Sequence, residues 1–248
     1  MPSPVVHVGY ALGFGTLIMT ATKGSFTASH CLLLAVNSFF GPDIGSFIGW
    51  CLSLTFPALA DTAMSYIHDS IGYITLIAPL IAFLSSKLLK KCSRWCDENN
   101  SSLISLNLKN CYLLSIAGCL LHFQIDHIFE ENGKDKFYQW ILSTGYFQKP
   151  TPPFLPLSVI FVGACTLSLF FGFAWIHLST RETLSVRLKY TLILFVSVTI
   201  IYLTYLAVSQ IILKKIAVVG EEADLGVMIF LIIFHILPFI LCLLSIQH

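Results

Sequence analysis

Charge is what this 248-residue chain has least of: Asp, Glu, Lys and Arg together make up 11% of it, where an ordinary soluble domain carries about 25%. So little charge excludes a water-soluble globular protein. The net charge of +1 leaves no basic excess to neutralise phosphates, which excludes a nucleic-acid partner. Zinc-finger spacing is also missing. Cys92 and Cys96 in "KKCSRWC" have no nearby histidine to complete a metal site, so they read as free thiols open to palmitoylation. Cys51, Cys111, Cys119, Cys165 and Cys242 fall inside apolar runs, where they act as small apolar residues. The first residues have neither a basic n-region nor a small-residue cleavage site, and they read as a retained membrane segment. Internal repeats and low-complexity tracts are absent.

Long apolar runs are abundant instead. Hydrophobic residues account for 56% of the chain, and mean hydropathy is +0.82. Runs at 71–89, 110–129, 157–178, 190–213 and 225–246 approach or exceed the about 20 residues that cross a bilayer. Residues 5–22 are just long enough to span and stop at Lys23-Gly24. A shorter helix follows over 26–40 and ends at Gly41-Pro42. Residues 45–60 are apolar but cut by Pro57, and either lie in the interface or re-enter the membrane. The expected fold is all-α: a multi-pass integral membrane bundle of about seven helices, the first two short. The proline-rich stretch "GYFQKPTPPFLP", 145–156, reads as an extended linker. It separates a polar-decorated domain, 1–144, from a three-helix membrane extension, 157–248.

The scarce polar residues are not scattered evenly. "LLHFQIDHIFEENG", 120–133, holds two histidines, an aspartate and two glutamates. Threading the expected helices back and forth puts Lys87, Lys90, Lys91, Arg94, Arg181, Arg187 and Lys189 on one membrane face, which the positive-inside rule assigns to the cytoplasm. The other face receives His7, Asp43, Asp61, His68, Asp69, His122, Asp126, His127, Glu130 and Glu131. His122 and Asp126 are spaced i, i+4, so a helix projects both from one side. They either offer a divalent ion one nitrogen and one oxygen or pair with each other. An ionisable residue in a membrane helix marks a functional site by default, because holding it there is costly. His30, His177 and His235 fall outside this set and read as packing histidines. Glu221 and Glu222 in "VGEEADLG" either belong to a solvated loop or bring a carboxylate to the cluster from the last span.

The motif order is a histidine in "VHVGYALG" (His7), an aspartate in "FGPDIGSF" (Asp43), a histidine in "HDSIGY" (His68), and then "HFQID" (His122 and Asp126). In this order residues 1–135 resemble the bacterial YdjM-type inner-membrane proteins, known as membrane-bound metal-dependent hydrolases. More distantly, the set is similar to the ligands of zinc-dependent phospholipase C and P1 nuclease. The chain as a whole also resembles plant membrane proteins without an assigned function. Two positions depart from the YdjM pattern. Gly45 stands where the family's PDID motif has a second carboxylate, and Tyr73 or Ile74 stands near the place of a second histidine. Asp61, Asp69, His127, Glu130 or Glu131 would have to compensate.

The resemblance implies a membrane-embedded metal-dependent hydrolase that holds Zn²⁺ or another divalent ion through His7, Asp43, His68, His122 and Asp126. Asp43 or Glu130 would be the general base, and the substrate would be a phosphoester such as a lipid headgroup at the non-cytosolic face. The competing expectation is a non-enzymatic or degenerate membrane protein, a transporter or structural subunit, whose polar cluster binds an ion.

Overall fold

The computed structural model describes residues 4–98, 106–128, 135–143, 156–179, 183–214, 218–219, 222–223 and 225–246. These residues are helical throughout, apart from one two-residue antiparallel ladder that pairs Val218–Val219 with Glu222–Ala223. The chain divides into two compact units. One comprises Met1–Tyr138 with Ile233–His248, the other Gln139–Ile232.

The first unit opens with α1, Pro4–Ala21, and α2, Ala28–Phe40. Between them Lys23 and Gly24 both take positive φ, which turns the chain back sharply. A helical hairpin follows, α3 (Asp43–Ser53) and α4 (Pro57–Ile67), whose second helix begins with proline at a position where its missing N–H costs nothing. Next comes a long helix made of α5 (Ser70–Gly72), a π-helical turn (Tyr73–Ile77) and α6 (Ala78–Glu98). Then come α7, Leu108–Ile128, and the start of α8, Lys136–Ser143. The unit closes with α12, Leu237–Leu244.

α7 is the axis of this unit. α1, α2, α6 and α12 all pack on it, and every residue from Ala117 to His127 is buried. A helix buried all round needs no lipid-compatible face, so α7 tolerates Gln124 and Asp126 beside Leu120, Leu121 and Phe123. α1 presents only a stripe: His7, Ala11, Phe14, Ile18 and Ala21 are buried at helical spacing, while Val5, Val6 and Leu12 face out. A chain of hydrogen bonds ties three helices together inside. The Tyr10 hydroxyl donates to Gln124 Oε1 (2.9 Å), and Gln124 Nε2 lies 2.9 Å from His235 Nδ1.

The second unit holds the rest of α8, α9 (Pro156–Ser179), α10 (Leu184–Ala207) with a π-helical continuation (Val208–Ile212), and α11 (Leu225–Phe230). α9 and α10 pack on each other. A third π-helical segment, Leu231–Ile236, joins α11 to α12.

Four helices among the described residues are long and apolar enough to cross a membrane: Ser70–Arg94, Ile160–His177, Ser185–Ile212 and Gly226–Leu244. They coincide with four of the five long runs seen in the sequence and make this chain compatible with an integral membrane protein. The expected count of about seven is not reached. The run at 110–129 folds as α7, but polar residues crowd its second half and bundle partners surround it. Val5–Ala21 is apolar but short, and α2 and α3 form a pair bent by 45° that makes a fifth candidate if taken as one span. The expected three-helix extension is also reorganised, since α12 returns to pack on α7 in the first unit. Most of the expected linker, residues 145–155, lies outside the described residues.

The axis and α2 approach closely at Gly118. A Cβ there would stand 2.6 Å from Asn37 Cβ, 2.8 Å from the Leu34 carbonyl oxygen and 3.1 Å from Ser38 N. Two of these three are backbone atoms, which cannot turn aside as a side-chain end would. Gly118→Ala is therefore expected to force α2 off α7 and cost about 1–3 kcal/mol, read as a lower melting temperature of the purified protein. An unchanged melting temperature would show that the two helices separate freely.

Candidate metal centre

Five side chains from four separate segments meet in the first unit. α1 supplies His7, the start of α3 supplies Asp43, the residue ending α4 supplies His68, and α7 supplies His122 and Asp126. His122 Nε2 lies 3.2 Å from Asp126 Oδ2 and 3.7 Å from Asp43 Oδ1. His68 Nε2 lies 3.6 Å from Asp43 Oδ1 and 3.9 Å from Asp126 Oδ2. His7 Nε2 lies 3.4 Å from Asp126 Oδ1. Two overlapping triads follow, His7–His122–Asp126 and Asp43–His68–His122, each with its ligand atoms within 4.8 Å of one another. Ligands about 2.0–2.2 Å from a tetrahedral ion are themselves about 3.3–3.6 Å apart, so this spacing fits an ion at the centre.

The polar atoms here are not satisfied by one another. His68 Nε2, His122 Nε2 and both oxygens of Asp126 are buried without a hydrogen-bond partner, as is His7 Nδ1. Burying an ionised carboxylate without hydrogen bonds is expensive, and a divalent cation in its midst offsets that cost. The rings are oriented accordingly. His122 Nδ1 lies 2.8 Å from the Ser38 carbonyl oxygen. Donating there, it leaves the Nε2 lone pair aimed into the cluster, the usual way a second partner sets a metal-binding tautomer. The same Ser38 donates its hydroxyl to the His7 carbonyl oxygen (3.3 Å), so one residue of α2 braces both histidine-bearing helices. His7 and His122 stack with ring centroids 4.1 Å apart. Burial alone would lower the pKa of His68. The Asp43 and Asp126 carboxylates outweigh it and hold that imidazole above its ordinary value.

Asp43 differs from the rest. Its side chain is 31% exposed, whereas those of His7, His122 and Asp126 are at most 2% exposed. The cluster therefore opens to its surroundings at Asp43.

A second buried network stands behind His68. Asp69 caps α5 by accepting from Gly72 N (3.0 Å) and also accepts from Lys136 N (3.0 Å). In return Ser70 Oγ donates to Asp135 Oδ1 (3.3 Å), which also accepts from Phe137 N and Tyr138 N. His127 lies 3.4 Å from Asp135 Oδ2 and stacks on Tyr138 at 3.6 Å. Asp69 and His127, weighed from the sequence as substitute ligands, belong to this clasp. Asp61 lines a cleft between α3 and α4. Glu130 and Glu131, and with them the call of Glu130 as a general base, lie outside the described residues, as do Glu221 and the side chain of Glu222.

The departures from the YdjM pattern have a spatial basis. A Cβ at Gly45 would stand 2.7 Å from Ile67 Cβ and 3.1 Å from His68 N, so the space a carboxylate would need is filled by the end of α4. Tyr73 is buried, and its hydroxyl donates to Asn37 Oδ1 (3.3 Å). His30, His177 and His235 have interior partners in Ser245, Thr191 and Gln124, in keeping with packing roles. The bracing residues Ser38, Asn37, Gly118 and Asp135 were not anticipated. The one signal for any of them was a polar pair, Asn37-Ser38, inside an otherwise apolar helix.

Comparison with family models, with curated proteins and with solved structures finds no match.

Adding Zn²⁺ or another divalent ion to chelated protein is expected to raise its melting temperature. At a hundred times the dissociation constant an ion that binds only the folded state contributes about 2.7 kcal/mol. His122→Ala should abolish the shift, and a wild-type protein indifferent to every divalent ion tried would remove the metal reading. Gly45→Asp should bind no additional ion and should lower stability, because its Cβ collides with Ile67.

Proposed function

We propose that this protein is a membrane-embedded metal-dependent hydrolase acting on a phosphoester, with a lipid headgroup as its natural substrate. The observation that carries the reading is the convergence of three histidines and two aspartates, several of their polar atoms buried and unpaired, on one point that opens only at Asp43. The order of the motifs, similar to that of the YdjM-type hydrolases, supports it. So does the apolar setting, since a bilayer presents phosphoesters at headgroup depth.

His7, His68, His122 and Asp126 would hold the ion, with Asp43 at the open edge. A bound divalent ion supplies Lewis acidity, which makes water more acidic and neutralises charge on the phosphoryl oxygens. Asp43, the exposed carboxylate, accepts a proton from the attacking water as its oxygen bonds to phosphorus. The bond from phosphorus to the leaving oxygen breaks, and that oxygen takes up the proton. Ser38 holds the His122 tautomer throughout, and the Asp69–Asp135 clasp holds the backbone that follows His68.

The second reading, an ion-binding membrane protein without catalysis, draws support from Gly45 and Tyr73, which supply no ligand where the family has two.

Reconstituted into nanodiscs with phospholipid and the ion that raises its melting temperature, the protein should release water-soluble headgroup products, detected by mass spectrometry. Asp43→Asn should reduce the rate by about 10²–10⁴-fold, the usual worth of a general base, while keeping most of the ion. A loaded protein that hydrolyses none of a broad phospholipid panel would favour the non-catalytic reading.

A further inference from the structure

The five candidate ligands do not share one support. His7, His122 and Asp126 stand on α1 and α7 in the packed bundle, whereas Asp43 and His68 are the two feet of the α3–α4 hairpin. That hairpin packs chiefly on itself, and its next strongest contacts are with its chain neighbours α2, α5 and the π-helical turn after α5. At its base the missing Cβ of Gly45 lets α3 close on Ile67 and the His68 backbone. The clasp at Asp69 fastens the His68 foot, and the Asp43 foot lies 3.6 Å from it.

The outer part of the hairpin is bare and apolar. Phe47, Trp50, Leu54, Phe56 and Leu59 are each more than half exposed. Between Asp43 and His68 the sequence has no lysine or arginine, and Asp61 is the single charged residue. Each helix has 11 residues and so reaches about 16 Å, half of the about 30 Å hydrocarbon core. Neither helix of the hairpin is long enough to span by itself, and both are too apolar for water. Asp61, Thr62 and Ser65 give α4 a polar strip, and Asp61 shares with Trp50, Ser53 and Met64 a cleft of about 310 Å³ between the two helices. A polar strip together with exposed tryptophan suits the headgroup boundary, where amphipathic helices and aromatic rings settle. The surface that meets these needs is a lipid bilayer, the same one that the long apolar helices of this chain require.

We propose that the α3–α4 hairpin is a bilayer-docking arm, and that its docking brings Asp43 onto the ion held by His7, His68, His122 and Asp126. The coupling rests on the metal reading above; the docking does not. The membrane then regulates the site, because ion affinity scales with the fraction of time the arm is in place.

The arm's location is tested on a protein whose one tryptophan is Trp50 (Trp95→Phe, Trp140→Phe, Trp175→Phe), in phosphatidylcholine nanodiscs with acyl chains brominated near the headgroup. Trp50 fluorescence should be quenched to the extent seen for a Trp175-only protein, whose indole lies on the candidate span Ile160–His177. Unquenched Trp50 overturns the docking. The coupling is tested in unbrominated nanodiscs by titrating Zn²⁺ into wild type, Trp50→Ser/Phe56→Ser and Trp50→Leu. The serine pair should bind the ion about tenfold more weakly, as expected when the arm is seated about a tenth of the time. The leucine variant, which keeps the surface apolar, should bind like wild type. Equal affinity in all three overturns the coupling. Absence of ion binding in wild type overturns the metal reading and the coupling with it, while the quenching result still locates the arm.

Discussion

Burial of unpaired polar atoms around Asp126 is the constraint on which the rest of the first unit depends. A carboxylate at the centre of an apolar bundle, with neither oxygen hydrogen-bonded, is tolerable only where positive charge reaches it. A divalent ion held among the surrounding histidines would meet that need. The same carboxylate explains why α7 must be interior. Facing lipid, Gln124 would lack hydrogen-bond partners and Asp126 its histidines. Inside the bundle Gln124 meets Tyr10 and His235, and Asp126 faces His7 and His122.

The bundle is shaped to present ligand atoms, and its closest packing lies where that matters. Gly118 admits α2 against the axis, and this contact puts the Ser38 carbonyl within hydrogen-bonding distance of His122. Gly45 does the equivalent for the hairpin, closing α3 on the end of α4 so that Asp43 reaches His68. Each glycine gives up a side chain for a backbone approach, and each approach places a candidate ligand. The Asp69–Asp135 clasp extends the pattern by fastening the turn after His68 to the start of α8. An exposed surface would not require this precision, because water would satisfy the same groups in any arrangement.

The same packing closes the space beside the cluster at Gly45, which meets the Ile67 side chain and the His68 backbone, and commits Tyr73 to Asn37. Five groups that share His122 Nε2 between both triads therefore suit a compact centre with one open edge at Asp43, borne on an apolar hairpin.

How much of this was legible in the sequence depends on the range of the physics involved. The scarcity of charge and the lengths of the apolar runs determined a helical, membrane-type chain, because the cost of exposing polar backbone to lipid acts on each segment alone. The i, i+4 spacing determined that His122 and Asp126 share a helix face, since that follows from 3.6 residues per turn. Threading about seven expected spans grouped the five ligand residues on one membrane face, an expectation that the four candidate spans leave open. What tertiary structure decided is that each lies 3.2–3.9 Å from at least one other, that α7 is an interior axis and not one of the four long spans, and that α12 packs in the first unit. It also decided that Ser38 sets the orientation of His122, and that Gly45 has no room for a carboxylate. Hydrophobic periodicity tells a helix which side to bury but not which neighbour it will meet there, and that is settled only when side chains far apart in sequence compete for the same space.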